Sequence, residues 1–220
     1  MKYWPHCQIQ WCWVAAVAVA ALAGCASPSN LYVQKQALIR YHDSGRYDAE
    51  VRRVAGRAMD YIRKRAASGQ TNLAVVLDID DTAVSTWGRL VKDDFARKDE
   101  MFVAWVSTHV DPPIQPILDL YRESQRLAVK VFFVTGRRTA LAERTRFTLA
   151  AAGYVSPDAI YFRPESDREK SLALFKTGVR REITRQGFQI IANLGDQDSD
   201  LAGGYAERAF KLPNPFYYTP

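Results

Sequence analysis

The sequence predicts an α/β fold, a mostly parallel sheet with helices on both faces. Three observations predict it. Short apolar runs over 73–77, 129–134 and 189–194 read as buried strands. Longer segments with helical spacing separate them, which is the pattern of parallel strands joined by crossover helices. Each run also ends in polar residues: Asp78-Ile79-Asp80, Thr135-Gly136-Arg137 and Gly195-Asp196. In a parallel sheet those ends share the carboxyl edge, where open α/β folds place their chemistry.

The elements follow in order. Leu31–His42 and Tyr47–Ala67 have helical periodicity, and Asp43-Ser44-Gly45 breaks them apart. Ser68–Asn72 is a loop, and Leu73–Asp78 is the first strand. Residues 83–116 have no regular pattern but carry Trp87, Phe95, Phe102 and Trp105, and read as a small helical insert. Ile117–Leu127 is helical, and Val129–Val134 is the second strand. Ala140–Ala152 is a helix that Gly153 stops. Ala159–Phe162 is a short strand, and Arg168–Arg185 is a long helix ending near Gly187. Gln189–Leu194 is a strand, and Ala209–Leu212 is a last one before Pro213-Asn214-Pro215. One core fits the length; there is no internal repeat. Residues 31–220 therefore form a single domain.

The N-terminus carries a separate message. Trp13–Gly24 is apolar and small, but a membrane-spanning helix needs ~20 such residues. It reads as the apolar core of a signal peptide, over residues 1–24. Leu22-Ala23-Gly24-Cys25 resembles the lipobox of bacterial lipoproteins, which implies cleavage before Cys25 and a diacylglycerol on its sulfur. An ordinary signal peptide or a short anchor is the alternative. Residues 25–30 would then be a tether. No Asp follows Cys25, so the resemblance favours an outer-membrane anchor facing the periplasm. Cys7 and Cys12 lie in the leader, and no thiol would remain for a disulfide.

The net charge of +6 is concentrated between Lys35 and Arg65, where Asp43, Asp48, Glu50 and Asp60 interrupt the basic residues. That mixture reads as a solvated helical face. No nucleic-acid-binding motif is present, so no nucleic-acid partner is expected.

The strand ends carry the chemistry. Paired carboxylates repel unless a cation or a proton intervenes. Asp78 and Asp80 therefore ask for a hard cation, and magnesium suits oxygen ligands. The expected ligands are Asp78, the Asp80 backbone carbonyl and Asp196, with Asp200 orienting them from behind. Asp78 is placed to attack phosphorus. Asp80 is placed to protonate the leaving oxygen and then to deprotonate water. The Thr135 hydroxyl and the Gly136 N–H suit phosphate oxygens. A lysine is still required to neutralise the phosphoryl group.

With these residues assembled, the chain resembles the haloacid dehalogenase superfamily of phosphohydrolases. The likeness is to the class C acid phosphatases and to plant acid phosphatases and vegetative storage proteins. Val75-Val76-Leu77-Asp78-Ile79-Asp80-Asp81-Thr82 matches the first motif, with Asp81 where Glu is more usual. Phe132–Arg137 matches the second. Phe175-Lys176-Thr177 resembles the third and selects Lys176 over Lys170 as the phosphate-binding lysine. Gly195–Leu201 matches the fourth, and Phe210–Tyr218 looks like the tail of the plant branch. The resemblance implies a Rossmann-like fold and a Mg²⁺-dependent acid phosphatase acting on small phosphate monoesters, nucleotides included. A phosphotransferase needs the same residues, and some plant relatives resemble storage proteins. Trp87, Phe95, Phe102 and Trp105 are more often core than substrate platform, with Trp87 the best candidate for stacking a leaving group; Arg137 and Arg138 suit a salt bridge at a helix start ahead of contact with substrate anions, and His109 is incidental.

Overall fold

The computed structural model describes Met1 and residues 30–96, 98–167 and 171–219. The leader, Cys25 and Lys170 therefore lie outside the described residues. The chain divides into two units, 1–37 and 38–220. The first contains the opening of helix α1 (Leu31–Asp43), where the Asn30 side chain accepts from the Tyr32 N–H at 2.9 Å. Everything below belongs to the second unit.

Gly45 separates α1 from α2 (Arg46–Ala66) and adopts φ 78°. A side chain is disfavoured in that left-handed conformation, so glycine is the residue that ends one helix and starts the next cheaply. Five parallel strands follow: β1 (Leu73–Leu77), β2 (Lys130–Arg138), β3 (Ala159–Arg163), β4 (Gln189–Gly195) and β5 (Arg208–Lys211). Their order is β3-β2-β1-β4-β5. The chain leaves β1 toward β2 and returns to its other side with β4. The strand order thus reverses at β1, which makes the carboxyl end of β1 the crevice of the sheet.

β1 is buried along its whole length, which explains its unbroken apolar run. Successive side chains leave on opposite faces. Ala74 and Val76 pack with Phe132, Val134, Val179 and Ile183 under α7 (Leu172–Arg185). Leu73, Val75 and Leu77 pack on the other face with Val51, Ala58, Ile62, Ile117 and Tyr121, contributed by α2 and by α5 (Gln115–Arg126). Burying a Leu or Val side chain stabilises the fold by ~1.5–3 kcal/mol, so these two layers hold the sheet edge still.

The irregular segment forms two helices, α3 (Trp87–Lys92) and α4 (Asp99–Thr108). Helix α6 (Ala142–Ala151) follows a short 3₁₀ turn at Thr139–Leu141, and Gly153 closes it at φ 96°. α7 begins at Leu172, later than the expected Arg168, because Ser171 is extended (ψ 130°). α8 (Asp198–Leu201) is one turn. β2 runs on to Arg138 through residues that read as a turn; its register with β3 shifts between Thr135 and Arg138. Among the described residues, no helix is long and apolar enough to cross a membrane.

Candidate active site

The carboxyl ends of β1, β2 and β4 open into one cavity of about 860 Å³. Asp78, Asp80, Gly136, Lys176 and Asp196 line it. The first residue of α7 sets the lysine in place. Leu172 packs over Gly136, where a Cβ would come within 3.3 Å of both its terminal methyls. This close approach draws the helix onto the end of β2, and one turn later Lys176 points at the sheet edge. Its Nζ donates to Asp78 Oδ1 and to Asp200 Oδ1, each at 2.5 Å.

Three carboxylates gather around that point. One oxygen each from Asp78, Asp196 and Asp200 lie within 4.8 Å of one another, all buried. Asp196 and Asp200 are four residues apart across the single turn of α8, and Gly195 permits the return. A Cβ on Gly195 would overlap the Asp200 side chain. The turn is a capping box: the Gln197 N–H donates to Asp200 Oδ2 at 2.8 Å. Three side-chain donors fix Asp196. Thr82 Oγ1 donates to Oδ1 at 3.1 Å, and Asn214 Nδ2 and Gln197 Nε2 donate to Oδ2 at 2.6 Å.

The electrostatics of this group call for positive charge. Burial pushes the Asp78 carboxyl well above its usual range, with Lys176 pulling against it. Burial and then Asp200 push Asp196 up to about 7. Burial works against the Lys176 charge, but Asp200 and Asp78 outweigh it and hold the ammonium above its usual range. With all three carboxylates ionised, one lysine leaves an excess of negative charge. A hard divalent cation fits this all-oxygen donor set.

Asp80 stands apart from the triad. Its carboxylate accepts from Arg137 Nη2 at 2.7 Å and from Arg137 Nε at 3.1 and 3.2 Å. The Arg137 side chain is fully buried, whereas that of Asp80 keeps 20 % exposure toward the cavity. Arg137 Nη1 also donates to Thr145, and Asp111 lies 3.7 Å away. Arg137 sits on β2, so its ion pair crosses to the end of β1 instead of bracing a helix start. Thr135 is buried, and its Oγ1 accepts from the Arg137 N–H at 3.1 Å.

The other predictions fall as follows. The structure gathers Asp78, Lys176, Asp196 and Asp200 into one group, with Asp80, Thr135 and Gly136 at the same sheet edge. Asp200, expected behind the other carboxylates, lies beside Asp78 and Asp196 in the buried group. Asp81 faces away from the triad; its buried carboxylate accepts from the Thr86 N–H, Thr86 Oγ1 and Tyr217 Oη at 2.6–2.8 Å. Trp87 does not line the cavity. It stacks on His42 at 3.9 Å and packs against Phe216 at 4.9 Å, and Phe102 and Tyr217 are the aromatic residues lining the cavity. His109 stacks on Trp105 at 3.7 Å.

Sequence reasoning favoured a helix-start salt bridge for Arg137 over contact with substrate anions, and assigned no role in the site to Asn214 and Tyr217; all three support it. Arg137 was visible beside Thr135-Gly136. Asn214 was visible between two prolines in the tail. Tyr217 carried no local signal.

Carboxylates, a lysine and an arginine converging on the carboxyl edge of a parallel sheet define an α/β enzyme for an oxygen-rich anionic substrate. The description "HAD superfamily, subfamily IIIB (acid phosphatase)" matches residues 12–220, and the chain belongs to that family. It is a phosphoric monoester hydrolase acting on small phosphate esters. The chain is 32 % identical to acid phosphatase 1 of Solanum lycopersicum, over 78 % of this chain and 69 % of that one. It is 27 % identical to vegetative storage protein 1 of Arabidopsis thaliana, over 80 % and 67 %. The class C acid phosphatase of Bacillus anthracis shares the fold, with a TM-score of 0.69, 20 % identity and 86 % coverage of both chains. Phosphatases of this superfamily generally use a divalent metal ion.

Proposed function

We propose that this acid phosphatase hydrolyses monoesters through an aspartyl-phosphate on Asp78, with Mg²⁺ as its cation. One observation carries the reading: the carboxylates at the sheet edge sit in two different environments. Asp78 belongs to the buried triad and touches Lys176, while Asp80 is excluded from the triad and held by Arg137 at the cavity wall.

Asp78, Asp196 and Asp200 are the side chains that would hold the cation. When bound, it neutralises the triad and the phosphate oxygens. The Asp78 carboxylate attacks phosphorus and the bond to the leaving oxygen breaks. Asp80 gives its proton to that oxygen. It then takes a proton from the water that attacks phosphorus, which frees Asp78 and releases phosphate. Arg137 keeps the Asp80 carboxyl aimed into the cavity during both transfers. Lys176, the Thr135 hydroxyl and the Gly136 N–H receive the phosphoryl oxygens, whose charge grows during transfer.

Release of phosphate from a panel of monoesters, nucleotides among them, tests this with wild type and Asp78→Asn, with and without chelator. The reading expects both the mutation and the chelator to abolish turnover, with Mg²⁺ restoring the chelated wild type. Turnover that survives either one sinks it.

The apolar run 13–24 and Leu22-Ala23-Gly24-Cys25 support a second part of the proposal, a lipid anchor on Cys25 that holds the enzyme at a bacterial outer membrane. Labelled palmitate should enter the wild type and not Cys25→Ser; equal labelling contradicts it.

A further inference from the structure

The cavity extends past the carboxylates to a wall made by the insert, with Arg89 from α3 and Phe102 from α4. Arg89 is only 3 % exposed. Its guanidinium lies 5.5 Å from the centroid of the Phe102 ring, the same ring that Arg137, the partner of Asp80, approaches at 5.8 Å. A guanidinium over an aromatic face keeps its N–H edge available for other acceptors.

The hydrogen bonding of Arg89 is incomplete. Its Nε and Nη1 are buried, and neither has a hydrogen-bond partner. Asp93 stands 3.5 Å from Nη1 and offsets the charge without accepting a proton in hydrogen-bond geometry. Other buried cations of this unit are engaged. Lys176 bonds two carboxylates, Arg137 bonds Asp80 and Thr145, and Arg180 bonds the carbonyls of Asp200, Ala202 and Gly204. Buried donors are nearly always paired; the Arg89 side chain lines the cavity, and its unpaired donors, closed to solvent here, call for an acceptor that reaches them as a ligand binds. The planar fork of arginine matches carboxylate and phosphate.

Two acidic groups on the same wall do not fill this role. Asp99 and Glu165 are drawn to Arg138, at 3.2 and 3.9 Å.

We infer that Arg89 binds a second anionic group, a carboxylate or phosphate carried by the leaving group, and so selects phosphate esters that bear one. The inference rests on the reading of this cavity as the phosphomonoester site. The anion of the leaving group meets Arg89 and Phe102 while the transferring phosphate meets Lys176. Arg89 takes no part in bond making and is a specificity-determining residue.

The test compares phosphonates, which bind without being hydrolysed. Calorimetry on the full chain measures ω-phosphonocarboxylates of one to four methylenes, the matching α,ω-bisphosphonates, and alkylphosphonates of equal length. At the best-fitting length, the second anion should tighten binding by about 10- to 100-fold. Arg89→Gln should bring that ratio near one, and Arg89→Lys should restore part of it. No preference in the wild type at any length overturns the proposal. So does an unchanged ratio in Arg89→Gln, because a merely structural Arg89 would weaken all series alike. Should Arg89→Gln fail to fold, the wild-type ratio and Arg89→Lys decide. Phosphonate preference without ester turnover would instead defeat the catalytic reading and leave this one standing.

Discussion

Replacing Arg137 with Met removes the cation that holds Asp80 and keeps much of the side-chain length. In the structure the guanidinium is fully buried and makes three contacts with Asp80 at 2.7–3.2 Å, one to Thr145 at 3.3 Å, and faces Asp111 at 3.7 Å. Breaking a buried pair by removing one partner costs ~3–5 kcal/mol. Asp80 is partly exposed and can regain water, so the low end, about 3 kcal/mol, is expected. For a domain of this size that lowers Tm by roughly 6–12 °C. The catalytic effect has a separate origin. Asp80 loses the clamp that aims it, and a 1 Å misplacement of a reacting group costs about 100-fold. Urea denaturation and kcat/KM on phenyl phosphate measure the two effects. A cycle with Asp80→Asn separates them, since Arg137→Met should cost little further activity in that background. An Arg137→Met enzyme with wild-type kcat/KM would refute this role. So would a loss that is fully additive with Asp80→Asn.

Gly195→Ala should fold yet lose activity by at least about 100-fold, because a Cβ there overlaps Asp200 and spreads the triad; normal turnover would show that the triad tolerates the shift. Tyr217→Phe removes a 2.6 Å donor from the buried Asp81 carboxylate, and should destabilise by about 1–3 kcal/mol in chemical denaturation. Glu123→Gln should show pH-dependent destabilisation. Hydrogen bonds from Arg126 and Arg63 hold the Glu123 carboxyl down at about 2. A folded pKa below the unfolded value stabilises at pH above that unfolded value and loses the effect as pH falls through about 2. The Tm gap between wild type and Glu123→Gln should therefore be open at pH 7 and closed by pH 2.

β1 and β4 were legible in the sequence because both faces of each are buried, which demands an apolar run, and because each runs into a carboxylate at the sheet edge. The end of β2 was not. Thr135-Gly136-Arg137-Arg138 has the composition of a turn, but pairing with β3 resumes after a register shift and carries the strand through to Arg138. The insert resisted reading for a different reason. α3 spans only six residues and α4 ten, too few turns for a clear apolar stripe. Asp78, Asp80 and Asp196 were legible as strand ends, and the motif order singled out Lys176. Asp200 was assigned to a supporting place because sequence spacing gives its turn but not the direction of its carboxylate. Trp87 packs against the core, the commoner reading for such an aromatic, but its partners His42 and Phe216 were hidden because they are far away in sequence. The roles of Asn214 and Tyr217 were hidden for the same reason: both act on residues more than a dozen positions away, across a fold that local patterns do not describe.

The claim that organises the site is that Asp78 becomes covalently phosphorylated. Rapid quench of Asp80→Asn with 4-nitrophenyl phosphate, whose leaving group departs without a proton, followed by peptide mass spectrometry, tests it most directly, because the intermediate then forms without Asp80 while its breakdown still lacks the base. The account predicts one phosphoryl group on Asp78, and none when Asp78→Asn is added. A phosphoryl group on another residue, or phosphate formed by Asp80→Asn with Asp78 unmodified at every time point, would contradict it.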